Sequence, residues 1–300
     1  MRNLRGSVGW LAALALTLPV AAAGAGGATH VTIGAQVGLI AATGGSVWAP
    51  DQVLGRLVRL DAATGRVQAR IPAGQRPFSA LAAAGSVWLT NLDSGTVLRI
   101  DPRTNRVRAR IPVGAGPYGL AAGGGGVWVS NSAAGTVVKI SPRTNRVVKR
   151  FRAGREPNGL FYAYGALWVG DYGGSRLLRI DPRSGRVTSR WTIAKADWVT
   201  ASPGALWVSS EPGRIVRLDP ASRKIVARIP VGANPLATAW IGGELWVPSI
   251  DDDSVSIVDP GTNAVREKRR VGFGPASIVQ AGGGVWVGHS EGGDVWRLAR

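Results

Sequence analysis

The chain has no cysteine among its 300 residues. That excludes a disulfide framework, a thiolate metal site and a cysteine nucleophile. Histidine is nearly as scarce. Only His30 and His289 occur, so imidazole chemistry has two places to reside. Acidic residues are also few, 18 against 36 lysines and arginines, for a formal net charge of +18. Such an imbalance bears on partners, not on fold. Beyond the N-terminus no segment is long and apolar enough to cross a membrane.

The N-terminus itself reads as a secretory leader. Arg2 and Arg5 form a basic start, and Val8 to Ala23 is apolar and uncharged. Small residues follow, and both Ala21-Ala22-Ala23 and Ala23-Gly24-Ala25 fit a cleavage site. Residues 1–28 are therefore expected to be a signal peptide cleaved near residues 23–26, with one domain over residues 29–300. The expected location is secreted, periplasmic or otherwise within the cell envelope. Loss of two arginines with the leader would lower the charge from +18 to +16.

What the chain does have is a repeat. Trp48, Trp88, Trp128, Trp168, Trp207, Trp246 and Trp286 are spaced 40, 40, 40, 39, 39 and 40 residues apart. Each follows an aliphatic residue and has a glycine three places before it. A period near 40 residues marks a supersecondary unit used many times over. Within one copy, Pro77 opens a short apolar strand, A. Gly85-Ser86 turns into strand B, Val87-Trp88-Leu89-Thr90, which is rich in strand formers. A polar loop leads to strand C from Thr96, and Asp101-Pro102-Arg103-Thr104-Asn105 makes a tight hairpin into strand D, Arg106 to Val113. Four antiparallel strands in 40 residues are one blade of a β-propeller. A solenoid would lack these closely spaced hairpins. The fold class is all-β, a single seven-bladed propeller of four-stranded blades.

The two ends complete each other. The last copy stops after strand C, and His30 to Ile33 matches the D strands of other copies. The N-terminal strand is therefore expected to finish blade seven and leave no open seam. A ring closed in this way is expected to be a monomer.

Several segments carry a family resemblance. They are Trp88-Leu89-Thr90-Asn91 and Trp128-Val129-Ser130-Asn131, then Gly95-Thr96-Val97 and Gly135-Thr136-Val137, then Ile111 to Gly114 and Ile229 to Gly232. Together they resemble the YVTN-type repeat of YncE-like propellers over residues 30–300, with Trp in place of the leading Tyr. More distantly the chain is similar to streptogramin lyases and gluconolactonase-like lactone hydrolases. The first resemblance implies binding of a ligand or protein partner. The second implies an enzyme with its site at the channel mouth.

Candidate site residues follow from the repeat. Three positions beyond each tryptophan stand Asp51, Asn91, Asn131, Asp171, Ser210, Ser249 and His289, all polar. They are expected to circle the channel mouth or to cap local loops. His289 is not a usual capping group, and closure brings its blade beside that of Asp51. A carboxylate next to a lone histidine is a candidate general base. The lyases use a histidine base and an acid-held metal, but the circle lacks the glutamate their repeats carry at the matching position. The turn before strand A breaks its rule once, reading Ala194-Lys195-Ala196-Asp197 and then Trp198. Counted from that turn, Trp198 falls where Phe78, Tyr118 and Asn158 fall. With Asp171 and Tyr172 on the same blade's loop, this irregular repeat is a candidate site for a small polar ligand. No motif calls for a cofactor or metal. Asp251-Asp252-Asp253 lacks the spaced ligands of a calcium loop.

The basic residues recur on strand D and its hairpin. Charge there protects an exposed edge from pairing, but nearly uniform positive sign also suits a polyanion such as nucleic acid or an envelope polymer. Three functions therefore stand: a binding or scaffold propeller, a lyase or lactone hydrolase using His289, and a polyanion binder.

Overall fold

A computed structural model describes residues 29–299. The expected leader lies outside the described residues. The strands form seven four-stranded antiparallel sheets, each ordered A–B–C–D from the axis outward. Blade 1 comprises Ala41–Thr43, Ser46–Asp51, Arg56–Asp61 and Val67–Pro72. Blade 2 comprises Pro77–Ala83, Ser86–Asn91, Thr96–Asp101 and Arg106–Pro112, and blade 3 Pro117–Gly123, Gly126–Asn131, Thr136–Ser141 and Arg146–Arg152. Blade 4 comprises Pro157–Ala163, Ala166–Asp171, Arg176–Ile180 and Val187–Thr192, and blade 5 Ala196–Ser202, Ala205–Ser210, Arg214–Asp219 and Lys224–Pro230. Blade 6 comprises Ala239–Ile241, Glu244–Ser249, Ser254–Asp259 and Ala264–Arg270. Blade 7 takes strands A to C from Pro275–Ala281, Gly284–His289 and Asp294–Leu298, and its D strand is Thr29–Thr32. The N-terminal strand thus closes the ring, with His30 opposite Trp296 and Val31 opposite Val295. Among the described residues no helix is long and apolar enough to cross a membrane.

Burial follows from stacking blades face to face. Every residue of strand B in blade 2 is buried, whereas its strand D alternates between exposed and covered positions. The tryptophans fill the wedge between blades. Trp48 packs against Val87, Leu89, Leu98 and Ile100 of blade 2, and Trp286 packs against Val47, Ala49, Val58 and Leu60 of blade 1 across the seam.

A second device joins the blades, one that hydrophobic periodicity does not reveal. Arg99 of strand C lies over the Trp88 ring at 5.3 Å. Its guanidinium donates to the Pro142 carbonyl and to Asn145 Oδ1 (2.9 Å) in the C–D hairpin of the next blade. Arg59 repeats this on Trp48, Pro102 and Asn105, and Arg217 on Trp207, Pro260 and Asn263. The hairpin asparagines can face back because they sit at positive φ, 58° for Asn105 and 56° for Asn145. Part of the positive charge is therefore structural, held as cation–π stacks and charge-assisted hydrogen bonds.

Candidate functional site

The polar position beyond each tryptophan forms a ring, but the ring lies inside the wall and not at the channel mouth. Asp51, Asn91, Asn131, Asp171, Ser210, Ser249 and His289 are all buried. Each ends a strand B at the end of the ring where strand D of one blade crosses to strand A of the next. Asn91 Nδ2 donates to the Ala73 carbonyl and Asn131 Nδ2 to the Val113 carbonyl, both at 2.8 Å. Asp171 accepts from the Arg155 and Glu156 amides at 2.8 and 3.0 Å, and from Arg176 Nε at 2.9 Å. It reaches the crossing backbone because Gly154 is there. A Cβ on Gly154 would stand 2.3 Å from the Asp171 Cγ. Ser210 donates to the Ala194 carbonyl at 2.6 Å, and Ser249 Oγ has no protein partner. Most of these side chains satisfy the crossing backbone, which is the local capping role.

His289 and Asp51 do not form a pair. Asp51 accepts from Arg56 Nε at 2.9 Å and from the Leu54 amide at 3.1 Å. His289 is fully buried, and its Nδ1 stands 2.8 Å from Asp294 Oδ1. The same carboxylate contacts His30 from the closing strand and accepts from Trp296 Nε1 at 3.0 Å. Burial raises the Asp294 carboxyl, but its bonds to His289 and Trp296 and the His289 charge outweigh that and hold it below its ordinary value. This cluster fastens the seam, and the imidazole of His289 has no route to a substrate at the channel mouth.

The irregular repeat leads to the mouth itself. Strand pairing sets Ala196 opposite Ser210, as Pro117 is set opposite Asn131 and Pro157 opposite Asp171. Asp197, not Trp198, therefore aligns with Phe78, Tyr118 and Asn158, while Trp198 aligns with Ser79, Gly119 and Gly159. Counting ten residues back from each tryptophan gives the same alignment. The one-residue deletion in this repeat misleads only a count taken forward from the turn.

These innermost positions line the axis. Asn158 is buried, and Tyr118 and Asp197 are half-buried beside it. Ser132 Oγ donates to Asn158 Oδ1 at 2.9 Å. Tyr172 donates to Glu211 Oε1 at 2.7 Å, and Lys195 Nζ lies 4.4 Å above the Tyr172 ring. Phe78 packs on Tyr118 with centroids 4.4 Å apart and the rings inclined at 43°. Beneath, Leu39, Leu236, Ala237 and Ala276 pack with Phe78 and Trp198 into an apolar plug across the axis. Past the plug the channel holds a cavity of ≈ 470 Å³, lined by residues including Leu120, Leu160 and Phe161. Blade 5 is drawn close at this level because Gly170 stands where blades 2 and 3 carry Thr90 and Ser130. A Cβ there would meet the Asp197 carbonyl oxygen at 1.9 Å.

Charge at the mouth is acidic and crowded. Burial pushes the Asp197 carboxyl up to about 7. The Asn158 contact opposes this, and the Glu211 and Glu156 charges add to it. Asp197 Oδ1 is buried without a hydrogen-bond partner in the protein. Burial, with the nearby Asp197, Glu156 and Tyr172, raises the Tyr118 phenol well above its usual value. The hydrogen bond to Glu211, with burial, pushes Tyr172 up to about 12. The structure thus brings Tyr172, Lys195, Asp197 and Trp198 together, turns Asp171 into the wall, and adds Tyr118, Glu156, Asn158 and Glu211. Among the described residues no three His, Cys, Asp or Glu groups are placed to hold a metal ion. The carboxylates of Asp251, Asp252 and Asp253 bind Asn234, Lys268 (2.7 Å) and the Gly274 amide.

No protein-family model and no curated protein matches the chain. Solved structures do. A streptogramin B lyase superposes with a TM-score of 0.78 at 15% identity, over 90% of this chain and 97% of that one. The likeness is one of fold. The hydrazine synthase of Kuenenia stuttgartiensis gives 0.76 at 16% identity, over 90% and 95% of the two chains. The computationally designed Ika8 protein gives 0.67 at 10% identity. These identities support the propeller architecture and carry no activity with them.

Proposed function

We propose that the protein is an extracytoplasmic binding propeller that takes a small polar ligand at the channel mouth on the face formed by the D–A crossings. The observation that carries this is Asp197, a carboxyl at the axis with one buried oxygen left without a protein partner. Buried polar atoms are nearly always satisfied. A donor from a ligand would complete Asp197, with Asn158 and Tyr118 as further polar contacts and Phe78 and Trp198 as an apolar floor. Three carboxylates set against Lys195 favour a ligand bearing an ammonium or several hydroxyls. Export rests on the leader-like N-terminus and is tested by sequencing the mature N-terminus from fractionated cells. A cytosolic, unprocessed chain would refute it. The site is tested by calorimetry with an alkylammonium and a neutral polyol as probes. Binding of either that is lost in Asp197→Asn supports the reading. Binding unchanged in that variant removes the mouth as the site.

The Asp197 carboxyl near 7 also favours a second reading, an enzyme of the lyase or lactone-hydrolase type with Asp197 in place of His289 as general base. A base poised near neutrality meets the main demand of such chemistry. Turnover of a lactone panel that is abolished in Asp197→Asn and retained in His289→Gln would support it. Activity insensitive to Asp197 would eliminate it.

A further inference from the structure

The outer strands carry a regularity that edge protection does not require. In blades 1 to 5, one register position of strand D is arginine each time: Arg70, Arg110, Arg150, Arg190 and Arg228. They face Val58, Leu98, Val138, Leu178 and Val216 of strand C. Lys268 and His30 hold the same register in blades 6 and 7. All seven are exposed. Directly opposed residues share a face of the sheet, so each arginine stands at the outer lip of an interblade groove. Arg150 Nη1 would lie only 2.9 Å from a Cβ placed on Gly114, at the crossing from the preceding blade.

These five charges are not neutralised. Among the described residues none of them is in an ion pair, and nearby acids serve other bases. Asp101 holds Arg108, Glu244 holds Arg266, and Asp252 holds Lys268. A second basic row runs at the start of strand D, through Arg66, Arg106, Arg146, Arg186 and Lys224, roughly 13 Å away at ~3.3 Å per residue. That row borders the hairpin carboxylates Asp61, Asp101, Asp181 and Asp219. Edge protection needs charge, not one sign at one height.

We propose that the arginine row is a track for a flexible linear phosphate polymer, which crosses the outer strands of blades 1 to 5 and meets one guanidinium per groove. The planar fork of arginine matches phosphate oxygens. The track bends around a ring only one domain wide, whereas duplex DNA is stiff over about 50 nm. A flat anionic surface pressed on the nearest face would first meet the turns that carry Asp93, Glu156, Glu211 and Asp251. The aromatics on these D strands, Phe151 and Trp191, pack inward on Trp128 and Trp168, so recognition is of the backbone and carries no base preference.

The test is fluorescence anisotropy with end-labelled inorganic polyphosphate of graded length, titrated against salt. Five contacts predict a log–log salt slope of about −3.5, or about 100-fold weaker binding between about 50 and 200 mM salt. The variant with Arg70, Arg110, Arg150, Arg190 and Arg228 all changed to Gln should lose that slope. A control with Arg66, Arg106, Arg146, Arg186 and Lys224 changed to Gln removes the same charge and should retain most of it. Arg150→Gln alone should lower the slope by about 0.7, and melting curves confirm that each variant is folded. Equal losses in the two five-site variants would overturn the proposal in favour of undirected attraction. So would tighter binding to duplex DNA or anionic vesicles than to polyphosphate, and so would absent binding.

Discussion

Asp197 offers a test in which sign, size and pH window are all set by the structure. Its carboxyl is moved from 3.8 to about 7, chiefly by burial. The folded protein therefore holds this proton more tightly than the unfolded chain. Stability from it is fully present below about pH 4 and is lost as pH rises toward 7, because the unfolded chain releases the proton first. At 1.36 kcal/mol per pH unit the whole span is worth about 4 kcal/mol, and partial exposure reduces that to about 2–4 kcal/mol. Asp197→Asn mimics the protonated acid and cannot ionise. Parent and variant should therefore unfold at similar urea concentrations at pH 4.5, within about 1 kcal/mol. At pH 8 the variant should be the more stable by about 2–4 kcal/mol, on the order of 10 °C in Tm. Comparing the two proteins at each pH cancels every other titrating group. A difference that does not change between pH 4.5 and 8, or a variant less stable at pH 8, would refute the buried acid.

Three further outcomes follow from the packing. Arg99→Ala removes two charge-assisted bonds to the next blade and the stack on Trp88, and should cost about 2–4 kcal/mol in urea unfolding, with Arg99→Lys recovering part of it. Gly170→Ala forces a methyl into the Asp197 carbonyl and should cost about 1–3 kcal/mol. It should also weaken the pH dependence just described, measured by the same urea titrations. Trp286→Ala leaves a cavity on the seam and should cost about 3–5 kcal/mol, read as a fall in Tm, with Trp128→Ala as the comparison within the ring.

The architecture was legible because its signals are redundant. A tryptophan repeated at one spacing reports blade number, hairpin position and, through the incomplete last copy, the closing strand. The site was legible only in part, for two physical reasons. Side-chain direction was one. The residues beyond each tryptophan do mark a circle, but pleating turns them into the wall, where crossing backbone consumes them. Register was the other. The deletion before Asp197 makes the turn a poor origin for counting, whereas strand pairing is fixed by the tryptophan. Tyr118 comes from a strand A, Glu156 from a D–A crossing and Glu211 from a B–C loop, and nothing local in the chain announces that they converge. Arg99 was hidden differently. As one basic residue among many, its stack on Trp88 appears only when two blades are in place.

The seam where Thr29–Thr32 meets Asp294–Leu298 also imposes an order on assembly. His30 and Asp294 are 264 residues apart in the chain, yet they touch in the finished ring. Until the last strand exists, the first has no partner and blade 7 has no outer edge. Loops of that length close slowly relative to local hairpins. The six complete blades can each gather their own neighbouring strands, but the seventh cannot close before Asp294–Leu298 has been made. A stalled or truncated polypeptide would therefore present a stack of blades with an uncovered apolar sheet face at each end. Synthesis of Asp294–Leu298 is the event that turns that stack into a ring.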